Sequence, residues 1–166
     1  MKSYTLEVSL TLIKDWRSKD EKIVFTNGVF DLLHVGHVDY LERAKSMGDR
    51  LIVGINDDAS VRRLGKAPER PINPEWARAQ IIAALKPVDA VIIFGEDTPL
   101  RLIESILPDV LVKGGDYNAD CTDAADPAYI VGSTEVIRNG GKVKALSLVQ
   151  GFSTTNIVSI LKRTNS

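Results

Sequence analysis

The sequence predicts an α/β domain, a single doubly wound unit around a mainly parallel five-stranded sheet. Three observations carry this. Short β-branched runs recur along the chain and are apolar at nearly every position, as strands buried on both faces require. Segments of helical period separate them, so strand and helix alternate. The chain has 166 residues, 44% apolar and 26% charged, which is the size and composition of one globular domain.

Taken in order, Lys14 to Glu21 is charged and reads as a short N-terminal helix and connection. Residues 1–21 are therefore expected to form a helical extension and residues 22–166 the main domain. Ile23-Val24-Phe25 is the first strand, and His37 to Met47 a helix with Val38, Leu41 and Ala44 on one face. Leu51-Ile52-Val53-Gly54-Ile55 is the second strand. Leu64 to Pro74, with Gly65, Pro68, Pro71 and Pro74, is a long irregular stretch, and loops of that length in a compact domain are usually functional or mobile. Glu75 to Leu85 is helical with Ile81, Ile82 and Leu85 inward, followed by the strand Ala90 to Phe94. Pro99 follows Thr98 as a first helical residue follows its cap, predicting a helix over Leu100 to Ile106 that Pro108 stops. Val110-Leu111-Val112 precedes a second irregular stretch, Gly114 to Pro127. Val143 to Leu146 is the fifth strand. Ser153 opens the last helix, with Ile157, Ile160 and Leu161 inward. In such a sheet ligands lie outside the carboxyl ends of the strands, so the loops after the strands matter most.

Composition excludes several classes. Basic and acidic residues number 21 and 22, a net charge of −1, so a polybasic nucleic-acid binder is not expected. Cys121 is the one cysteine and reads as a passive loop residue; no internal disulfide or Cys-rich metal site follows from it, and a reducing, cytoplasmic setting fits. Runs such as Val91 to Phe94 fall far short of the roughly 18 residues that span a bilayer. Met1 to Asp20 lacks the basic flank and apolar run of an export signal. Asp120, Asp123 and Asp126 lack the glycine and terminal glutamate of a calcium loop.

The chemistry concentrates after the first strand, in Thr26-Asn27-Gly28-Val29-Phe30-Asp31-Leu32-Leu33-His34-Val35-Gly36-His37. Both histidines of the protein fall here, at a helix start whose free amides and partial positive charge suit a phosphate. Gly28 and Gly36 permit close backbone approach. A second candidate is Gly151-Phe152-Ser153-Thr154-Thr155-Asn156, where hydroxyls cap a helix start and, with its amides, could hold further phosphates. Lys113-Gly114-Gly115-Asp116-Tyr117 follows the fourth strand at the ligand edge. Asp116 could accept from a sugar hydroxyl or be a solvated turn residue.

His34-Val35-Gly36-His37, preceded by Gly28-Val29-Phe30-Asp31, resembles the His-x-Gly-His nucleotidyltransferase superfamily, and the likeness runs over residues 22–163. Glu42-Arg43-Ala44-Lys45, Asn56-Asp57-Asp58, Arg70-Pro71, Glu96-Asp97-Thr98-Pro99, Pro108 to Tyr117, Gly140-Gly141 and Gly151 to Ile157 sharpen it toward the ADP-heptose synthase adenylyltransferases. The resemblance implies a Rossmann-like nucleotidyltransferase domain that transfers AMP from Mg2+-bound ATP to D-glycero-D-manno-heptose 1-phosphate, for lipopolysaccharide or other surface glycans. It further implies a homodimer, with no nucleic-acid or membrane partner. No residues remain for the kinase domain found beside this one in bifunctional relatives, so a free-standing transferase is expected.

By the same resemblance His34, His37 and Lys45 are the catalytic candidates, Lys45 having a solvated helix face as its alternative. Thr26, Gly28, Phe30, Lys66, Arg78, Gly114, Asp116, Ser153, Thr154 and Thr155 are the nucleotide-binding candidates, with Arg78 equally readable as a structural ion pair. Asn27, Asp57 and Lys113 are assigned to the sugar phosphate. Asp31 either orders the histidine loop or touches magnesium, the first being preferred. The rival enzyme reading is a cytidylyltransferase acting on glycerol 3-phosphate or another small phosphate. Such enzymes carry a Trp-containing stretch where this chain has Asn118-Ala119-Asp120-Cys121, which favours adenine. A nucleotide-binding module without catalysis is the third reading.

Overall fold

The computed structural model describes residues 2–65 and 69–163. The elements are β1 (Ser3–Tyr4), α1 (Leu6–Ser18), β2 (Ile23–Gly28), α2 (Val35–Lys45), β3 (Arg50–Asn56), α3 (Asp58–Arg63), α4 (Glu75–Ala84), β4 (Ala90–Phe94), α5 (Leu100–Ile106), β5 (Val110–Gly114), α6 (Ser133–Arg138), β6 (Lys142–Leu146) and α7 (Thr154–Arg163). All strand pairs are parallel, in the order β1-β4-β3-β2-β5-β6. The five expected strands are all present. A two-residue sixth, β1, extends the β4 edge; it is too short to leave a periodic signal.

Alternation along the strands sorts the core into two layers, because successive side chains leave opposite faces of a sheet. Val24, Leu51, Val53, Val91 and Val112 point to one side with Leu41 and Ala44 of α2 and Ile82 of α4. Ile23, Phe25, Ile52, Ile92 and Leu111 point to the other, meeting Ile13 and Trp16 of α1, Leu102 and Ile103 of α5 and Val136 of α6. The N-terminal segment thus covers sheet surface: α1 packs on Ile23 and Phe25, and Arg17 donates to the carbonyls of Ile106 and Leu107. Two details of the expected helix faces change. Ile81 of α4 is 40% exposed, and Arg78 and Ala79 take inward positions instead; in α7, Ile160 and Leu161 are more than half exposed. Neither α3 nor α6 was expected, each being only 6 residues long.

From β2 the chain winds through α2 to β3 and on to β4, then crosses back beneath the sheet through α5 to β5, on the far side of β2. The direction of winding reverses between β2 and β5, and the loops leaving their carboxyl ends diverge there. The amino edge of the sheet is tied by aspartates. Asp109 accepts from the Ile23 amide at 2.7 Å, Asp49 from Lys22 at 2.8 Å and Asp89 from Leu51 at 2.7 Å.

Candidate active site

After Gly28 the chain turns sharply. Phe30 sits at φ 49°, left-handed backbone that is costly for a residue with a Cβ and concentrated at functional turns. A Cβ on Gly28 would stand 3.0 Å from the Phe30 ring, so the glycine leaves room for that side chain to fold back. His34 is the N-cap of α2 in extended conformation; its carbonyl accepts from the His37 amide at 2.9 Å, while its ring makes no capping bond. That frees the imidazole to stack on His37, with ring centroids 3.8 Å apart and planes at 24°. Gly36 is required beneath it: a Cβ there would lie 3.0 Å from His34 Nδ1. Phe30 packs on the other side of His37 at 5.2 Å.

Asp31 fixes this turn. Its side chain is fully buried; Oδ1 accepts from the amides of Ile72 and Asn73, each at 2.9 Å, and Oδ2 from Arg70 Nε at 2.9 Å. The Asn73 side chain donates back to the Asp31 carbonyl at 2.7 Å. Burial alone would raise the Asp31 carboxyl, but the Asn73 and Ile72 amides and Arg70 outweigh it and hold the group below its ordinary value. The expected ordering role is thus what the geometry displays.

Across from the histidines lies the start of α7. Ser153 Oγ accepts from the Asn156 amide at 3.0 Å, and Thr154 Oγ1 donates to the Leu32 carbonyl at 3.4 Å, tying the second helix start to the histidine loop. The two starts enclose one cavity of about 240 Å³, lined by His34, Gly36 and His37 on one side and Ser153, Thr154 and Thr155 on the other. Burial pushes His37 down to about 4, helped by His34 and Arg70, and burial lowers His34 as well. Near neutral pH both rings are uncharged, and a neutral imidazole retains one N–H to donate. The Nδ1 atoms of both are buried with no partner among the described residues.

A larger cavity of about 380 Å³ adjoins the first, with Val29 in the wall of both. Asn27, Asn56, Lys113, Tyr117, Asp126 and Tyr129 line it. Lys113 Nζ donates to Asn27 Oδ1 at 2.9 Å and lies 5.4 Å from the Tyr117 ring centroid. Two sugar-phosphate candidates, Asn27 and Lys113, therefore stand together.

Several expectations are corrected. Lys45 lies at the end of α2, where its ammonium binds Asp89 and the Asp49 carbonyl; two helical turns carry it to the amino edge of the sheet, away from the histidines. Arg78 is fully buried and its guanidinium is spent on the Asn73 and Val29 carbonyls and on Asp58, the structural ion pair rather than a ligand. Thr26 is also fully buried, and its hydroxyl meets Tyr40 Oη at 2.5 Å in the core. Asp57 is the N-cap of α3, accepting from Ser60 at 2.6 Å, and it lines neither cavity. Gly114 gives packing room, since a Cβ would stand 2.9 Å from Tyr40 and Leu148, and Asp116 is exposed outside both cavities. Lys66 lies outside the described residues. Arg70, which lines the histidine cavity, was legible only as part of an Arg-Pro pair in the long loop.

No group of three or more metal-ligating side chains occurs among the described residues. Asp31, the one carboxylate on the histidine cavity, has both oxygens engaged by donors. The described residues do not form a protein cage for magnesium.

With this geometry in place, comparison with known proteins decides the family: the model for cytidylyltransferase-like proteins matches residues 25–160. The chain belongs to that family. Among curated relatives it is 55% identical over 150 residues to "Bifunctional protein HldE" of Pectobacterium atrosepticum, covering 90% of this chain and 30% of that protein. For the protein of the same name from Azotobacter vinelandii the figures are 54% over 158 residues, 95% and 31%. The chain thus spans about 30% of the length of these relatives. Among solved structures it resembles a lipopolysaccharide core biosynthesis protein from Thermoplasma volcanium, at 31% identity and TM-score 0.58, over 78% of this chain and 97% of the other. A pantoate-beta-alanine ligase from Francisella tularensis shares the fold, at 15% identity and TM-score 0.52, over 95% and 76% of the two chains. In this cytidylyltransferase-like chain no helix among the described residues is long and apolar enough to cross a membrane.

Proposed function

We propose that this chain is an adenylyltransferase that transfers AMP from ATP to D-glycero-D-manno-heptose 1-phosphate, releasing pyrophosphate. The observation that carries the reading is the single cavity at the sheet's reversal point, walled by the histidine turn and the Ser-Thr-Thr turn. Identity of 52–55% to HldE proteins supports the heptose branch over the cytidylyltransferase alternative, and the Thermoplasma neighbour's role in lipopolysaccharide core biosynthesis supports a surface glycan as the destination.

The chemistry is a substitution at phosphorus. An oxygen of the sugar phosphate forms a bond to the α-phosphorus, the bond from that phosphorus to the α,β-bridging oxygen breaks, and pyrophosphate departs with the electron pair. The nucleophile is already ionised, so no base is required, and catalysis rests on positioning and on stabilising negative charge. His34 and His37 donate to the phosphates around the reacting centre. Amides at this helix start and the hydroxyls of Ser153 and Thr155 take the distal phosphates, with Thr154 tied to the Leu32 carbonyl. The sugar phosphate occupies the larger cavity beside Asn27 and Lys113, whose volume falls within the roughly 300–1,000 Å³ usual for small-ligand sites. Bound to ATP, magnesium would lower the negative charge that the attacking oxygen meets, and no residue is assigned to hold it.

The reading places the protein in the cytoplasm as a homodimer. Sedimentation velocity reads the mass directly. Incubation with ATP and the heptose phosphate is expected to release pyrophosphate and yield ADP-heptose. Turnover of CTP with glycerol 3-phosphate, and none of ATP with the heptose, would replace this reading with its rival.

A further inference from the structure

Among the described residues, the histidine cavity is lined by little positive charge. Lys45 is bound at the opposite edge of the sheet, Arg78 is fully buried with its donors engaged, and both imidazoles are neutral near pH 7. Among the described residues that line the cavity, Arg70 is the one lysine or arginine. Its Nε is donated to Asp31 at 2.9 Å, and no other guanidinium nitrogen has a partner among the described residues. The Asp31 carboxylate is closed off, with its side chain 0% exposed, whereas the Arg70 side chain keeps 12%. The anion of the pair is satisfied by the loop it orders, and the cation belongs to a side chain that lines the cavity. An arginine fork matches two phosphate oxygens in one plane, which an ammonium does not.

We infer that Arg70 binds the polyphosphate of the nucleotide through its two Nη groups, held in place by Asp31 through Nε. The inference deepens the proposed function and rests on it for the nucleotide, but its ligand chemistry, a phosphoanhydride anion, is tested separately. Charge-assisted hydrogen bonds of this kind change affinity by roughly 10- to 100-fold.

Inorganic pyrophosphate and ATP are titrated calorimetrically into the wild-type protein and into Arg70→Gln and Arg70→Lys, with melting curves recorded for each. Arg70→Gln is expected to weaken pyrophosphate binding about tenfold or more, with Arg70→Lys intermediate, because it keeps the charge and loses the fork. A folded Arg70→Gln protein that binds pyrophosphate within about twofold of wild type overturns the assignment. Should that variant unfold, Arg70→Lys decides: a loss of about threefold or more supports the assignment and no loss overturns it. Wild-type turnover of ATP with heptose 1-phosphate, measured alongside, separates the two claims. Arg70-dependent pyrophosphate binding without that turnover removes the substrate reading and keeps Arg70, and turnover indifferent to Arg70→Gln does the reverse.

Discussion

Lowering the pH should destabilise this protein through His37 before its carboxylates matter. Burial among Phe30, His34 and Arg70 brings the ring to about 4, whereas in the unfolded chain it titrates near its ordinary 6.5. The unfolded chain therefore takes up the proton first. Stability from the neutral ring is complete above about pH 6.5 and declines as pH falls toward 4. At pH 5 the gap is about 1.5 pH units at ~1.4 kcal/mol each, or about 2 kcal/mol, and water at the cavity mouth reduces this to about 1–2 kcal/mol. The assay is urea denaturation of wild type and His37→Asn at pH 7 and pH 5. The difference between the two proteins should narrow by that amount at pH 5, because the variant has no ring to charge. Parallel losses in both would refute the reasoning and place His37 in contact with bulk water.

Asp31→Ala removes a buried carboxylate that accepts from Ile72, Asn73 and Arg70, and should cost about 3 kcal/mol or more while exposing residues 69–74 to protease; limited proteolysis and a melting curve read both effects. Gly36→Ala adds a Cβ 3.0 Å from His34 Nδ1, so kcat should fall by roughly 10- to 100-fold through displacement of the ring, although alanine favours a helix. Lys45→Met should leave kcat within about twofold of wild type and lower the melting temperature, since the side chain bonds Asp89 at the opposite edge of the sheet; a large loss of kcat would restore Lys45 to the reaction.

Much of the site could be read from the chain because its parts are local. The histidine turn and the Ser-Thr-Thr turn each lie within a dozen residues, at junctions where a change of period marks a helix start, and the fold returned both at the expected ends of α2 and α7. Lys45, Thr26, Asp57 and Arg78 are different. Each is a polar residue near a motif, and proximity along the chain does not say whether a side chain meets solvent, ligand or core.

The sequence by itself determined the strand–helix alternation, the five main strands and the two phosphate-suited turns, since these follow from side-chain period, glycine freedom and capping chemistry within short windows. Tertiary structure alone decided which charges serve the cavity. Asp31 and Arg70 are 39 residues apart and meet only because the long loop folds back over the β2 turn. Lys45 is carried away because two turns of rigid helix span the height of the sheet. Electrostatic partnership depends on distance through space and on burial, and neither is encoded in the spacing of residues along a chain.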